Sequence, residues 1–190
     1  VLNNDVTISE ECIENLVLYA KQNSRYGLIG STIMEYYNPE IIQYAAGAKF
    51  RLITCTSKPF MAGKKLEDIK FLDESNIEID YIGGCSMFFR TEVLEDIGLL
   101  NDDYFLYFEE IDYSKRMEES EYKLGWCKDS LVYHKYGASI GSENIVSKKS
   151  KTSEYYSNLS SAKFIRNYYP GLFNLIMVNR FILKNLKYIL

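Results

Sequence analysis

Residues 81–141 read YIGGCSMFFRTEVLEDIGLLNDDYFLYFEEIDYSKRMEESEYKLGWCKDSLVYHKYGASIG. The hydrophobic period in this stretch switches repeatedly between two and three-to-four residues. Ile77-Glu78-Ile79-Asp80-Tyr81-Ile82 alternates as a strand and breaks at Gly83-Gly84, after which Cys85–Arg90 resumes as an apolar strand. Thr91 is placed to cap a short helix containing Val93, Leu94 and Ile97, which Gly98 closes. The aromatic run Tyr104–Phe108 feeds Glu109-Glu110-Ile111-Asp112, which opens a helix through about Glu119. Leu124–Tyr133 reads as a strand ending at His134. Strands alternating with helices predict an α/β body with a mixed sheet.

Working outward, Val1-Leu2 reads as the end of a buried strand that turns at Asn3-Asn4-Asp5. Ser9 is expected to cap a helix carrying Glu10 and Glu11 in its first turn. Ile13, Leu16, Val17 and Ala20 would form its buried face. Leu28–Met34 is an apolar run with the character of a buried strand, and residues 35–75 read as a long excursion of short elements. Downstream, Gly137, Gly141 and the Ser/Lys stretch 147–153 read as a mobile connection. Residues 154–168 and 171–190 read as helices separated by Pro170-Gly171. The chain divides on this basis into a body, residues 1–150, and a basic helical tail, residues 151–190.

The chain has 190 residues, 47% apolar and 25% charged, an ordinary globular composition that excludes disorder and collagen-like structure. Its four cysteines (Cys12, Cys55, Cys85, Cys127) form no CxxC pair, and His134 is the only histidine. Reduced, intracellular thiols are therefore expected rather than a structural zinc site or a disulfide scaffold. Seventeen tyrosines favour stacking surfaces, for which sugar rings are one common partner. The net charge of −4 hides an asymmetry: eight basic residues against Glu154 alone give residues 148–190 a net +7, so residues 1–147 carry −11. The acidic body argues against a nucleic-acid groove. The basic tail fits an anionic surface, and the chain has no apolar run of about 18 residues that would span a bilayer.

Two acidic constellations carry chemistry. Asn3-x-Asp5 follows a strand end, where a carboxylate is well placed to hold a hard cation that bridges phosphates; the plainer alternative is an Asx turn. Glu109-Glu110-x-Asp112 crowds three carboxylates into a helix start. There they either complement the helix dipole or supply a general base beside an aromatic wall. His134 is either a satisfied structural residue or a co-ligand of the Asp5 cation. Gly83-Gly84 either lets the backbone approach a ligand closely or forms a bulge.

Taken in order, these motifs resemble family 2 glycosyltransferases. Residues 81–141 are similar to the C-terminal half of that family, especially its bacterial rhamnosyltransferase-like branch, in the Gly-containing strand, the Phe-x-Tyr-x-Glu-Glu-x-Asp run and His-x-x-Gly-x-Ser. VLNNDVTIS at residues 1–9 resembles the family's Asp-x-Asp variant. YGLIGSTIMEYYNPEIIQYAAGAKF (26–50) and EYYSNLSSAKFIRNYYP (154–170) resemble its flanking segments. Glu110 stands where many members carry Asp. The resemblance also implies that the strands preceding the Asn-Asn-Asp motif lie upstream of Val1. A chain lacking them is expected to self-associate and to bind nucleotide weakly.

The implied fold is of GT-A type, here N-terminally truncated, with C-terminal helices. The implied activity is metal-dependent transfer of a sugar from a nucleotide-diphosphate donor to a saccharide or lipid-linked acceptor, usually with inversion. Asp5 and His134 would hold Mn²⁺ or Mg²⁺, and Glu110 would be the base, with Glu109 and Asp112 orienting the acceptor or bracing it. Asn3, Asn4, Gly83, Gly84 and Cys85 would line the donor side, and Tyr104, Tyr107 and Phe108 would offer the stacking wall. A cytoplasmic protein touching the inner membrane face is expected, because Arg180, Lys184 and Lys187 recur on one stripe of the last helix. The rival reading is a non-catalytic remnant that binds a sugar or a partner.

Overall fold

The computed structural model describes residues 1–135 and 150–186, with side chains through residue 183. Gly137, Gly141, Lys184 and Lys187 fall outside those descriptions. The fold is mixed α/β. Its centre is β2 (Tyr26–Glu35), in which every residue from Tyr26 to Met34 is buried. A strand with both faces covered needs apolar residues without alternation, as Leu28–Met34 supplies. Its side chains divide between two cores: Leu28 and Met34 pack with Trp126, while Ile29 and Ile33 pack with Leu16 and Val132.

Along one edge β2 pairs in parallel with β8 (Lys123–His134), from Tyr26↔Lys123 to Glu35↔His134. Along the other it pairs antiparallel with β7 (Met87–Phe89) in its first half and β3 (Ile42–Ala45) in its second. β1 (Val6–Ile8) closes the far side of β8, with Val6 opposite His134. A smaller antiparallel sheet orders β5 (Thr56–Pro59), β4 (Gly47–Arg51) and β6 (Tyr81–Ile82). The helices are α1 (Cys12–Gln22), α2 (Leu66–Ile69), α3 (Thr91–Ile97), α4 (Glu109–Met117), α5 (Lys151–Tyr168) and α6 (Phe173–Leu186).

Several local expectations are corrected by tertiary pairing. Val6–Ile8 stays extended because β8 offers it a ladder, so α1 starts at Cys12. The Ser9 carbonyl, not its side chain, receives the Cys12 N–H at 3.2 Å. The buried face of α1 is Cys12, Leu16, Tyr19 and Ala20; Ile13 is exposed, because the helix is rotated about a sixth of a turn from the expected stripe. Residues 77–80 do not join the strand at Tyr81. Asp80 instead turns its carboxylate onto the Phe50 amide (2.8 Å) and the Lys49 amine (3.1 Å). Thr91 is the first residue of α3 and Arg90 occupies its cap, while Gly98 closes the helix at φ 87° as expected. Val1 and Leu2 are exposed, and Leu2 forms a single antiparallel bridge to Ser86.

Arg180 on α6 is buried, donating to the carbonyls of Thr54, Cys55 and Ser157 and to Asn158 Oδ1. It therefore anchors α6 to the body and does not lie on an outward basic stripe. The opposite side of α6 exposes Leu175, Val178, Phe181 and Ile182.

Gly47 illustrates how closely β4 and β6 approach within the small sheet, since a Cβ there would lie 1.8 Å from the Tyr81 carbonyl oxygen. Gly47→Ala is expected to lower stability by about 3 kcal/mol, the upper range for overpacking against backbone. Gly171, with nothing within 4 Å of the same position, is expected to accept Ala without loss. Urea midpoints of the two variants check this contrast.

Candidate active site

The antiparallel pairing of β1 with the end of β8 carries the residues before Val6 alongside His134. The Asp5 carbonyl accepts the Lys135 amide at 3.0 Å, and the Asp5 carboxylate lies 3.4 Å from His134 Nε2. The two residues are 129 apart in the chain, yet both belong to one strand pair. His134 Nδ1 meets Gln43 Oε1, contributed by β3, at 2.7 Å. With an amide oxygen as acceptor, Nδ1 carries the proton and Nε2 presents its lone pair towards Asp5. Burial lowers the His134 pKa, opposed by the Asp5 charge and by a hydrogen bond to its carboxylate.

The second acidic group is held by α4. Tyr107 and Phe108, immediately before the helix, both adopt left-handed backbone at φ 66° and 76°. Each costs roughly 1–2 kcal/mol for an L-residue, and tertiary contacts hold them there. The Tyr107 hydroxyl bonds Ser153 Oγ at 2.7 Å, and the Phe108 ring packs edge-on against Phe50 and tilted on Phe164. The resulting turn starts α4 with Glu109 and Glu110 side by side. Both residues keep partial exposure, but their Oε2 atoms are sealed from solvent with no hydrogen-bond partner among the described residues. Burial, then the neighbouring Glu109 charge, pushes Glu110 up to about 8, although the first amides of the helix pull the other way. Burial also raises Glu109.

Tyr44 and Cys85 link the two acidic groups. A Cβ on Gly83 would sit 2.5–2.6 Å from the Tyr44 ring, so the absent side chain of Gly83 is where that ring lies. Burial takes the Tyr44 hydroxyl well above its usual range, reinforced by Cys85 and Glu110; burial pushes the Cys85 thiol up to about 12, with the Asp5 charge adding to it. Gly84 faces the carboxylates: a Cβ there would meet Glu109 Oε1 at 3.7 Å and Glu110 Cβ at 3.9 Å. The Asn3 amide donates to the Cys85 carbonyl at 3.1 Å, and Asn4 forms the exposed turn before Asp5.

The structure thus gathers Asp5, His134, Gly83, Gly84, Cys85, Glu109 and Glu110 at one end of the main sheet. It turns Asp112 elsewhere. Asp112 is 1% exposed, and its oxygens accept from Arg116 Nε (3.1 Å) and the Tyr168 hydroxyl (2.8 Å). Arg116 in turn donates to the Ile97 and Leu99 carbonyls, so this network braces α4 against α5 and the chain after α3. Tyr104 and Phe108 are buried in the core that Phe164, Ile165 and Ile176 share, leaving neither ring open as a stacking wall. Gln43 and Tyr44 are the site neighbours that sequence reasoning missed. The one available signal was Gly83, whose missing side chain called for a close neighbour.

Among the described residues no group of three or more His, Cys, Asp or Glu side chains converges as a metal cluster. Asp5 and His134 fit a two-ligand protein contribution, because a carboxylate and a neutral imidazole nitrogen face one another.

No protein-family profile matches this chain. Over 131 residues it is 29% identical to a low-salt glycan biosynthesis hexosyltransferase of Haloferax volcanii. The similarity takes in 67% of this chain but only 39% of that relative's length.

The buried acid pair gives a signed pH dependence. Because Glu110 holds its proton more tightly folded than unfolded, native stability falls as pH rises from the ordinary carboxylate range towards about 8. Glu110→Gln removes that penalty. Its melting temperature is expected to exceed wild type by a margin that widens between pH 5 and pH 8, and a margin constant with pH would contradict the buried-acid assignment.

Proposed function

We propose that this chain is part of a glycosyltransferase that passes a sugar from a nucleoside-diphosphate donor to a hydroxyl of a saccharide or lipid-linked acceptor. The proposal extends to a family 2, GT-A type enzyme acting with inversion. The observation that carries it is the Glu109–Glu110 pair, fixed at a helix start beside Gly84 and neighbouring Asp5 and His134 through Tyr44 and Cys85. The sequence resemblance and the similarity to a hexosyltransferase both support it.

In this reading Glu110 accepts the proton of the attacking hydroxyl. Its carboxylate is unusually basic for its type, so once ionised it takes that proton readily, and Glu109 raises its basicity further. Asp5 and His134 would hold a divalent cation, Mn²⁺ or Mg²⁺, which when bound neutralises charge on the departing diphosphate. Gln43 keeps the His134 ring in the tautomer that presents Nε2. Tyr44 and Cys85 are neutral at physiological pH, since burial raises both. They close the site without adding charge near the base.

Peripheral membrane contact belongs to the same proposal and rests on the exposed apolar side of α6. No described helix is long and apolar enough to cross a membrane. Replacing Leu175, Phe181 and Ile182 by serine is expected to reduce co-sedimentation with anionic liposomes at least severalfold; unchanged binding would locate the contact elsewhere.

The catalytic assignment is tested by kinetics on the full-length enzyme of which this chain is part, with a panel of nucleotide sugars. Glu110→Gln is expected to lower kcat by about 10²–10⁴-fold, with a smaller effect from Glu109→Gln. Wild-type kcat/KM is expected to climb with pH until about 8, where Glu110 is ionised. A flat profile from pH 6 to 8, or equal small effects of the two substitutions, would return the pair to a structural role.

A further inference from the structure

The rings expected to form a stacking wall are buried or bonded, but the same loop presents one that is not. Phe105 is 76% exposed, although burial of so large an apolar ring is favourable. A slack loop would fold it back onto the protein. This loop is held to α5 at three points: Lys163 Nζ donates to the Asp103 carbonyl (2.6 Å), Ser160 Oγ to the Leu106 carbonyl (2.9 Å), and the Tyr107 hydroxyl bonds Ser153 Oγ (2.7 Å). Phe105 is thereby fixed outward. Its ring lies on Tyr156, centroids 4.6 Å apart at 39°, and Tyr156 in turn meets Tyr155 edge-on at 5.2 Å. Tyr155 is itself 61% exposed. Three rings from two elements therefore form a continuous outward aromatic surface on the segment that leads into Glu109.

We infer that Phe105, Tyr155 and Tyr156 form a platform on which a neutral saccharide stacks, as the acceptor of the transfer proposed above; the acceptor role rests on that reading. Rigid aromatic rings suit the apolar C–H face of a pyranose because little conformational entropy is lost on contact. The adjoining charges select among ligands. In the segments that carry the rings, Asp102, Asp103 and Glu154 stand against Lys151 and Lys163, so these segments hold no excess of positive charge to draw phosphate or anionic lipid headgroups, while carboxylates accept hydrogen bonds from sugar hydroxyls. The platform thus takes the uncharged part of an acceptor and leaves any phosphate pointing away.

Saturation-transfer NMR tests the platform without requiring catalysis. The probes are methyl α-mannopyranoside, lactose and diacetylchitobiose, with glucose 1-phosphate and phosphatidylglycerol vesicles as charged comparisons. At least one neutral sugar is expected to receive saturation on the C–H groups of one face. Phe105→Ser should weaken it about tenfold, and Phe105→Tyr should retain it. Both replace an exposed group, and matched melting curves for the Phe105 variants show that the fold is intact. Absence of neutral-sugar binding, binding indifferent to Phe105→Ser, a Phe105-dependent preference for the charged probes, or Phe105-dependent self-association would each overturn the inference. If wild type transfers sugar and Phe105→Ser leaves the acceptor KM unchanged, the platform fails while the enzymatic reading stands. If stacking persists but the full-length enzyme turns over no nucleotide sugar, the saccharide platform stands and the enzymatic reading falls.

Discussion

The parallel pairing of β2 with β8 is the constraint on which the rest depends. Both strands are long, and β2 is covered on both faces, so its register cannot slip by one residue without sending Leu28 and Ile29 into each other's cores. That register is pinned by a polar contact inside the apolar layer: the Trp126 indole N–H donates to Thr32 Oγ1 at 3.0 Å, and Thr32 Oγ1 donates onward to the Lys128 carbonyl at 2.8 Å. A second buried chain of hydroxyls joins Ser86 to Ser31 and Ser31 to Ser130, each at 2.9 Å, tying β7, β2 and β8 together. Buried polar groups satisfied in this way specify one arrangement of the strands rather than adding much net stability. With β8 fixed, His134 has one possible position, and β1 brings Asp5 to it.

The acidic half of the site depends on a different device. Two consecutive left-handed residues are unfavourable in isolation, and they persist because Phe108 is locked among Phe50 and Phe164 while Tyr107 is bonded to Ser153. The core formed by α5 and α6 with the body therefore supports the start of α4 at one end. The Asp112–Arg116–Tyr168 network supports it one turn further along. Helix α5 serves both purposes and also pins the loop bearing Phe105. A single helix thus sets the acid pair, its supporting brace and the exposed aromatic surface in fixed relation.

Electrostatically the two ends of the site are opposite in character. Near Asp5 and His134, a carboxylate faces an imidazole whose protonation is disfavoured by burial, an arrangement that suits a cation. At Glu109 and Glu110, one oxygen of each carboxylate is sealed from water without a hydrogen-bond partner, and burial outweighs the backbone amides that favour the charged form, an arrangement that suits a proton. Tyr44 and Cys85 separate them with groups that stay neutral.

Much of this was legible in the sequence. The largely apolar run of β2, the strand ending at His134, the acidic start of α4 and the Pro-Gly break before α6 each follow from local pattern, because burial on both faces, helix-dipole complementarity and proline sterics act over a few residues. Sequence also singled out Asp5 and His134 as a pair, from a carboxylate and the one histidine each standing at a strand end, and the resemblance of motif order implied the same pairing. What required the tertiary structure were the choices between equally plausible local states. β1 is a strand only because β8 offers it a partner. Phe105 faces outward while Phe108 is buried because residues 103–107 are bonded to a helix about fifty residues later. Arg180 is an anchor rather than a surface charge because the carbonyls of Thr54 and Cys55 lie within its reach. Each outcome turns on hydrogen-bond partners and apolar surface supplied from distant parts of the chain, which no periodicity in the segment itself encodes.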